Sequence, residues 1–102
     1  MNPVATDEAL PQHLRSTYHL MVAAFPEGID AEAYLPLLAV LGQRLSDRNL
    51  AEVLARGFGI DSGRALNDVY RARTTALPTA DAVNCVIGRL LPCGYEEWLR
   101  ED

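Results

Sequence analysis

Hydrophobic residues recur along most of this chain at intervals of three and four, the spacing of helices that bury one face. No stretch of useful length alternates between apolar and polar residues, as a half-buried strand would. The first helix is predicted over residues 11–24. Its apolar stripe consists of Leu14, Tyr18, Met21, Val22 and Phe25. Pro26 then ends the helix because it lacks a backbone donor, and Gly28 permits the turn.

The second helix is the most apolar and is predicted to be central. Asp30 is a suitable N-cap. The main stripe consists of Tyr34, Leu37, Leu38, Leu41 and Leu45, with Leu35 and Val40 widening it. Pro36 is unfavourable inside a helix because it removes one hydrogen bond and crowds the preceding turn. Either the first turn is a short separate 3₁₀ piece and the main helix begins near Leu35, or the helix bends at Pro36, and we favour the first.

Further helices follow at short intervals. The predicted caps are Ser46 for the third helix, Asp61 or Ser62 for the fourth, and Thr79 for the fifth. The predicted inner faces are Leu50, Val53, Leu54 and Phe58 in the third helix, Ala65, Leu66, Val69 and Tyr70 in the fourth, and Val83, Val86, Ile87, Leu90 and Leu91 in the fifth. Gly57 and Gly59 end the third helix, and Pro92 and Gly94 end the fifth.

The expected fold is an all-α, compact, single-domain bundle of about five short helices, because the connections are short and the helices are amphipathic. The single domain spans residues 1–102. Residues 1–9 are expected to form a loose N-terminal arm, and residues 95–102 a C-terminal tail.

Charge is unevenly distributed along an acidic chain of net charge −5. Residues 44–73 hold six arginines and four acids, a net charge of +2, whereas residues 1–43 carry −4 and residues 74–102 carry −3. An acidic protein is repelled by nucleic acid and anionic lipid unless a local patch overrides the total. No apolar run is long enough to cross a bilayer, and the first six residues lack the features of a signal peptide. We therefore expect a cytoplasmic protein with no membrane partner.

Catalytic and metal-binding patterns are missing from the sequence. His13 and His19 lie on nearly opposite sides of a helix, and neither has a partner at metal-ligand spacing. Cys85 and Cys93 are too far apart for an intrachain disulfide if the helix between them is intact, so we expect reduced thiols, with Cys85 facing outward. The alternative is a redox or dimer-forming thiol. We expect no enzyme, no cofactor and no bound metal.

The strongest functional pattern is a helix-turn-helix in residues 50–73. Its second helix carries Arg64, Asn67, Arg71 and Arg73, where a nucleic-acid-binding regulator would place residues that reach phosphates and bases. Asp68, however, follows Arg64 by four residues and precedes Arg71 by three. Internal ion pairing is therefore the simpler interpretation. The Gly57-Phe58-Gly59 segment is interpreted as a helix-ending turn, since a dinucleotide loop would follow a strand.

The C-terminal tail contains three large apolar side chains, Tyr95, Trp98 and Leu99. They could pack on the bundle or form an exposed aromatic anchor for a partner. Packing is favoured because three such groups are costly to leave in water.

A family resemblance rests on three segments, which are Phe-Pro-Glu-Gly at residues 25–28, Tyr-Leu-Pro-Leu-Leu-Ala-Val-Leu at residues 34–41 and Arg-Leu-Ser-Asp at residues 44–47. In these segments the chain resembles the family called domain of unknown function 3349, small proteins found mainly in actinobacteria such as mycobacteria. The likeness continues through Leu-Pro-Thr at residues 77–79 into Gly-Tyr at residues 94–95, although the tail beyond is longer than in that family. The resemblance implies a monomeric five-helix bundle with no known ligand, cofactor or partner. It supplies no functional residues.

These observations favour a small, monomeric, non-enzymatic module that binds another protein or has a structural role. The candidate partner surface consists of Arg64, Asn67, Arg71, Arg73, Tyr95, Trp98 and Leu99. The alternative hypothesis is a helix-turn-helix-like nucleic-acid-binding regulator that uses residues 50–73.

Overall fold

The computed structural model describes residues 10–101, and the predicted arm at residues 1–9 lies outside them. The described chain contains helices and no strand, which confirms the predicted all-α bundle. The helices are α1 (Gln12–Ala24), α2 (Ala31–Leu41), α3 (Asp47–Phe58), α4 (Ser62–Arg73), α5 (Ala80–Leu90) and α6 (Tyr95–Leu99), with a 3₁₀ turn at Leu91–Cys93. The short helix α6 forms from the residues predicted as a tail.

The predicted caps of α3, α4 and α5 are confirmed. Ser46, Asp61 and Thr79 each accept a hydrogen bond, 3.1 Å long, from the backbone amide three residues later. Such caps satisfy amides that the helix itself leaves unpaired. Asp30 occupies the N-cap position of α2, but its side chain makes no capping hydrogen bond. Its carboxylate instead accepts a hydrogen bond, 3.3 Å long, from Arg89 of α5.

Helix α2 is continuous through Pro36, so the expected separate 3₁₀ turn is wrong. The helix does begin tightly, because the Ala33 amide bonds the Asp30 carbonyl three residues back. Proline removes only the hydrogen bond to the carbonyl of Glu32, an exposed residue whose carbonyl can be hydrated. The ring of Pro36 is itself buried and adds to the core.

Helix α2 lies at the centre of the bundle, as predicted. It packs against α4 on one side and α5 on the other, while α3 pairs with α4. The side chains of Leu37, Leu38 and Leu41 are completely buried. Helix α1 packs against α3, α5, α6 and the 3₁₀ turn, and so joins the two ends of the described chain.

Outside α4, two predicted inner positions are wrong. Val22 of α1 is exposed, and Thr17 and Leu20 are buried in its place, because α1 is turned toward α5 and α6 as well as toward α3. Leu91 is exposed because α5 ends at Leu90. Among the described helices, none combines the length and apolar character needed to cross a bilayer.

The turn between α3 and α4 is confirmed as a helix-ending turn at Gly59, but Gly57 does not end the helix as predicted, because it lies buried inside α3. Gly59 has a φ of 72°, in the left-handed region that favours glycine. The Gly59 amide bonds the Leu54 carbonyl, and the Ile60 amide bonds the same carbonyl at 3.2 Å. This turn fixes how α4 crosses α3 and therefore which side of α4 faces outward.

Candidate interaction surface

The residues predicted to form a partner surface lie on two different elements. Helix α4 holds Arg64, Asn67, Arg71 and Arg73, and α6 holds Tyr95, Trp98 and Leu99. Helix α4 packs against α2 and α3, whereas α6 packs against α1 and the 3₁₀ turn. The two groups are therefore held by different parts of the bundle and do not form one surface.

Arg64 and Arg71 flank a buried carboxylate, as the spacing predicts. Their nitrogens lie 3.6 and 3.8 Å from the carboxylate oxygens of Asp68, which is only 5% exposed. The Tyr34 hydroxyl of α2 donates a 2.8 Å hydrogen bond to the same carboxylate. Burial, and then this hydrogen bond and the charge of Asp68, raise the pKa of Tyr34 above its ordinary value of 10.0. The result is a polar contact between α2 and α4, with both arginines at its edge.

Arg73 has a different role from the other arginines of α4. One of its terminal nitrogens bonds Asp47 of α3 at 2.8 Å and the backbone carbonyl of Gly42 at 3.2 Å. These contacts fasten the end of α4 to the connection between α2 and α3. A guanidinium engaged in this way is less available to a partner.

The inner face of α4 differs from the prediction at two positions. Leu66 and Tyr70 were expected in the core, but they are 47% and 55% exposed. The buried side of α4 is formed by Ala65, Asp68, Val69 and Ala72. Small alanines let α4 approach its neighbours closely, and the charged neighbours of Asp68 make its burial tolerable. The sequence does contain a sign of this buried side. Asp68 lies three residues after Ala65 and four residues before Ala72, so the three share one side of the helix.

Leu66 and Tyr70 belong to a surface that spans two helices. We define the α3–α4 face by Arg48, Arg56, Leu66, Asn67 and Tyr70. It contains two depressions, of about 290 and 420 Å³, and Leu66 lines both. All five side chains are exposed. Of the predicted surface residues, only Asn67 lies on this face, beside the apolar pair that sequence reasoning placed in the core.

The aromatic tail packs on the bundle for the most part. Tyr95 and Trp98 are buried, and the Trp98 indole donates a 2.8 Å hydrogen bond to the Thr17 hydroxyl of α1. The Arg44 guanidinium lies 5.7 Å from the Trp98 ring centre. Leu99 is 38% exposed. Burial also raises the pKa of Tyr95. The favoured packing interpretation is thus confirmed for the two aromatic rings, which are not exposed anchors.

The other candidate chemical groups are dispersed. Both cysteines are free thiols, and Cys85 is exposed, as predicted. His13 and His19 are both exposed on α1. Within residues 10–101, no three side chains of histidine, cysteine, aspartate or glutamate come close enough together to hold a metal ion.

Comparisons with known proteins do not add to this picture. No family model, no curated protein and no solved structure matches the chain.

Proposed function

We propose that this protein is a small, cytoplasmic, non-enzymatic interaction module whose α3–α4 face binds an acidic amphipathic helix of another protein. The observation that supports the proposal is the exposure of Leu66 and Tyr70. Large apolar side chains four residues apart form one continuous strip on a helix, and a facing helix can cover such a strip with its own apolar side. Helix α4 presents this strip to solvent while alanines fill its core positions.

The charge around the strip favours an acidic partner. Arg48 and Arg56 lie on the α3 side of the strip, with Glu52 between them along the helix. Arg56 is paired with Glu52 at 3.1 Å, whereas Arg48 makes no ion pair with any described residue. The whole chain carries −5. Asp47 also lines this face but is paired with Arg73 at 2.8 Å, so Arg48 is the charge left unbalanced there. That positive charge on an acidic protein would orient an acidic partner and disfavour a second copy of the same chain, in keeping with a monomer.

The test is capture from an extract of the host with three forms of the protein. The first is the native chain, and the second is the Leu66→Asp/Tyr70→Asp double variant. The matched control is Leu91→Asp, because Leu91 has the same 47% exposure as Leu66 but lies outside the α3–α4 face. We expect a protein retained by the native chain and by the control, lost by the double variant, and released by added salt.

Two results would reject the proposal. One is retention of the same proteins by all three forms, and the other is the absence of any reproducible partner. Circular dichroism of each form establishes that the variants are folded, since all three positions are exposed and their substitution leaves the core intact.

Nucleic-acid binding by residues 50–73 is the second candidate function. A recognition helix needs arginines that can leave the protein surface for phosphates. In α4, Arg64 and Arg71 flank Asp68, Arg73 bonds Asp47, and the Asp61 carboxylate occupies the helix N-terminus. The Asp61 carboxylate at the start of α4 and the engagement of Arg73 at its end oppose contact with the successive phosphates of a duplex. Failure to bind mixed-sequence duplex DNA at about 50 mM salt would end this hypothesis.

Membership of the family called domain of unknown function 3349 also stays a proposal. It is supported by the motifs at residues 25–28, 34–41 and 44–47. If the chain belongs to this family, the residues that carry the resemblance form the turn before α2 and the core around α2.

A further inference from the structure

A pocket opens between α2, the α3–α4 turn and α4, on a different side of α4 from the proposed interaction face. Its volume is about 540 Å³, within the range of small-ligand sites, which is about 300–1,000 Å³. The apolar wall of this α2–α4 pocket is formed by Ile29, Leu35, Phe58 and Ile60. These side chains pack partly against the core and leave part of their surface in the pocket.

The polar side of the pocket carries a net positive charge. Its charged lining residues are Arg64, Arg71 and Asp68, a net charge of +1. Asp68 accepts a hydrogen bond from Tyr34 and lies between two guanidinium groups, so it has little capacity to attract a cation. An anion is the ligand that this charge balance favours.

Both arginines keep hydrogen-bonding capacity for such an anion. Their contacts with Asp68, at 3.6 and 3.8 Å, are ion pairs too long to be hydrogen bonds. Within residues 10–101, neither guanidinium group donates a hydrogen bond to the protein. Each has five N–H donors in a planar fork that suits a carboxylate.

We propose that the α2–α4 pocket binds a small organic carboxylate with an apolar tail. The carboxylate binds the free edges of the Arg64 and Arg71 guanidinium groups, and the tail lies against Ile29, Leu35 and Ile60. Tyr34 acts as a positioning residue, because its hydroxyl holds Asp68 and Asp68 in turn keeps the two arginines at the rim. This site is independent of the proposed protein partner, and either can fail without the other.

The test is a titration of the full chain with octanoate, followed by amide chemical shifts in two-dimensional NMR. Octanamide is the matched ligand control, since it has the same tail and no charge. We expect octanoate to shift the amides of Ile29, Leu35 and Ile60 and to bind at least about tenfold more tightly than octanamide, the effect of one hydrogen bond between charged groups.

Variants then locate the carboxylate. Arg64→Gln and Arg71→Gln should each raise the Kd of octanoate about tenfold. Arg56→Gln is the matched control, because Arg56 is also exposed and also pairs with an acid four residues away. Arg64→Lys keeps a positive charge beside Asp68 but loses the planar fork, so it should also lower the affinity for octanoate. This variant tests the proposal even if Arg64→Gln is poorly folded.

Three results would overturn the proposal. Equal affinity for octanoate and octanamide would mean that the arginines contribute nothing. Shifts confined to the α3–α4 face would place the ligand elsewhere. No shift at about 10 mM octanoate, ten times a millimolar Kd, would show that the pocket does not bind this class of ligand.

Discussion

Tyr34 links two helices through its hydroxyl group as well as through its ring. The hydroxyl donates a hydrogen bond to Asp68, a carboxylate that is almost completely buried. A buried carboxylate is costly unless it is hydrogen-bonded and its charge is balanced. The arginines beside Asp68 supply charge at a distance, so Tyr34 provides the one short hydrogen bond from a described side chain.

Tyr34→Phe tests this role at neutral and alkaline pH. At pH 7 we expect the variant to lose about 1–3 kcal/mol of unfolding free energy, because Asp68 stays buried without its donor. The pKa of Tyr34 is raised in the folded chain, so the unfolded chain releases this proton first and the native protein loses stability as pH rises above 10. The difference between the two proteins should therefore shrink between about pH 7 and pH 11.

Urea unfolding curves at each pH measure both effects. Tyr70→Phe is the control, since Tyr70 lies on an exposed surface of α4. A Tyr34→Phe variant as stable as the native chain at pH 7 would show that Asp68 does not depend on the hydroxyl.

Helices α1 and α3 meet where Gly57 faces Tyr18. A Cβ atom placed on Gly57 would lie 2.7 Å from Cδ1 and 3.0 Å from Cε1 of the Tyr18 ring, closer than carbon atoms can pack. The same ring lies 5.5 Å from the ring centre of Phe58. The glycine therefore permits close approach of the two helices, with Phe58 on another side of the Tyr18 ring.

Gly57→Ala should destabilise the native protein by about 1–3 kcal/mol through overpacking, despite the higher helix propensity of alanine. In a Tyr18→Ala background the obstacle is gone, so Gly57→Ala should become neutral or stabilise by up to about 1 kcal/mol. A double-mutant cycle from urea unfolding of the four proteins measures the coupling. Equal effects of Gly57→Ala in both backgrounds would refute the steric explanation.

The elements were largely predictable because their signals are local. Ser46, Asp61 and Thr79 cap helices by accepting bonds from backbone amides three residues later. Gly59 ends α3, and its amide bonds the Leu54 carbonyl in the last turns of that helix. The outward side of α4 was not predictable from apolar spacing alone. Asp68 is buried because Tyr34, a residue 34 positions earlier, bonds it, and that contact exists only in the folded chain. With Asp68 on the buried side, Leu66 and Tyr70 lie on the surface, and apolar spacing alone does not indicate this.

At the scale of the molecule, contacts between α1 and the last described residues close the bundle. The Trp98 indole bonds Thr17, and Ser16 donates a 2.6 Å hydrogen bond to Glu101. Arg44 donates to the Leu99 carbonyl at 2.7 Å. Helix α6 is too short to be stable alone, so its structure depends on these contacts and on the burial of Trp98. Sequence alone indicated that the aromatic rings pack but could not indicate that α1 provides the hydroxyl.

If α6 is part of one cooperative core, Trp98 reports on the unfolding of the whole domain. We expect its fluorescence and far-ultraviolet circular dichroism to give the same midpoint in urea, as two-state unfolding requires. Thr17→Val removes the partner of the buried indole N–H and should shift both transitions together, lowering the unfolding free energy by about 1–3 kcal/mol. A fluorescence change that precedes the loss of helical signal would instead mean that α6 detaches first. In that case Tyr95, Trp98 and Leu99 would be exposed in a populated state, and the tail would return as a candidate partner surface.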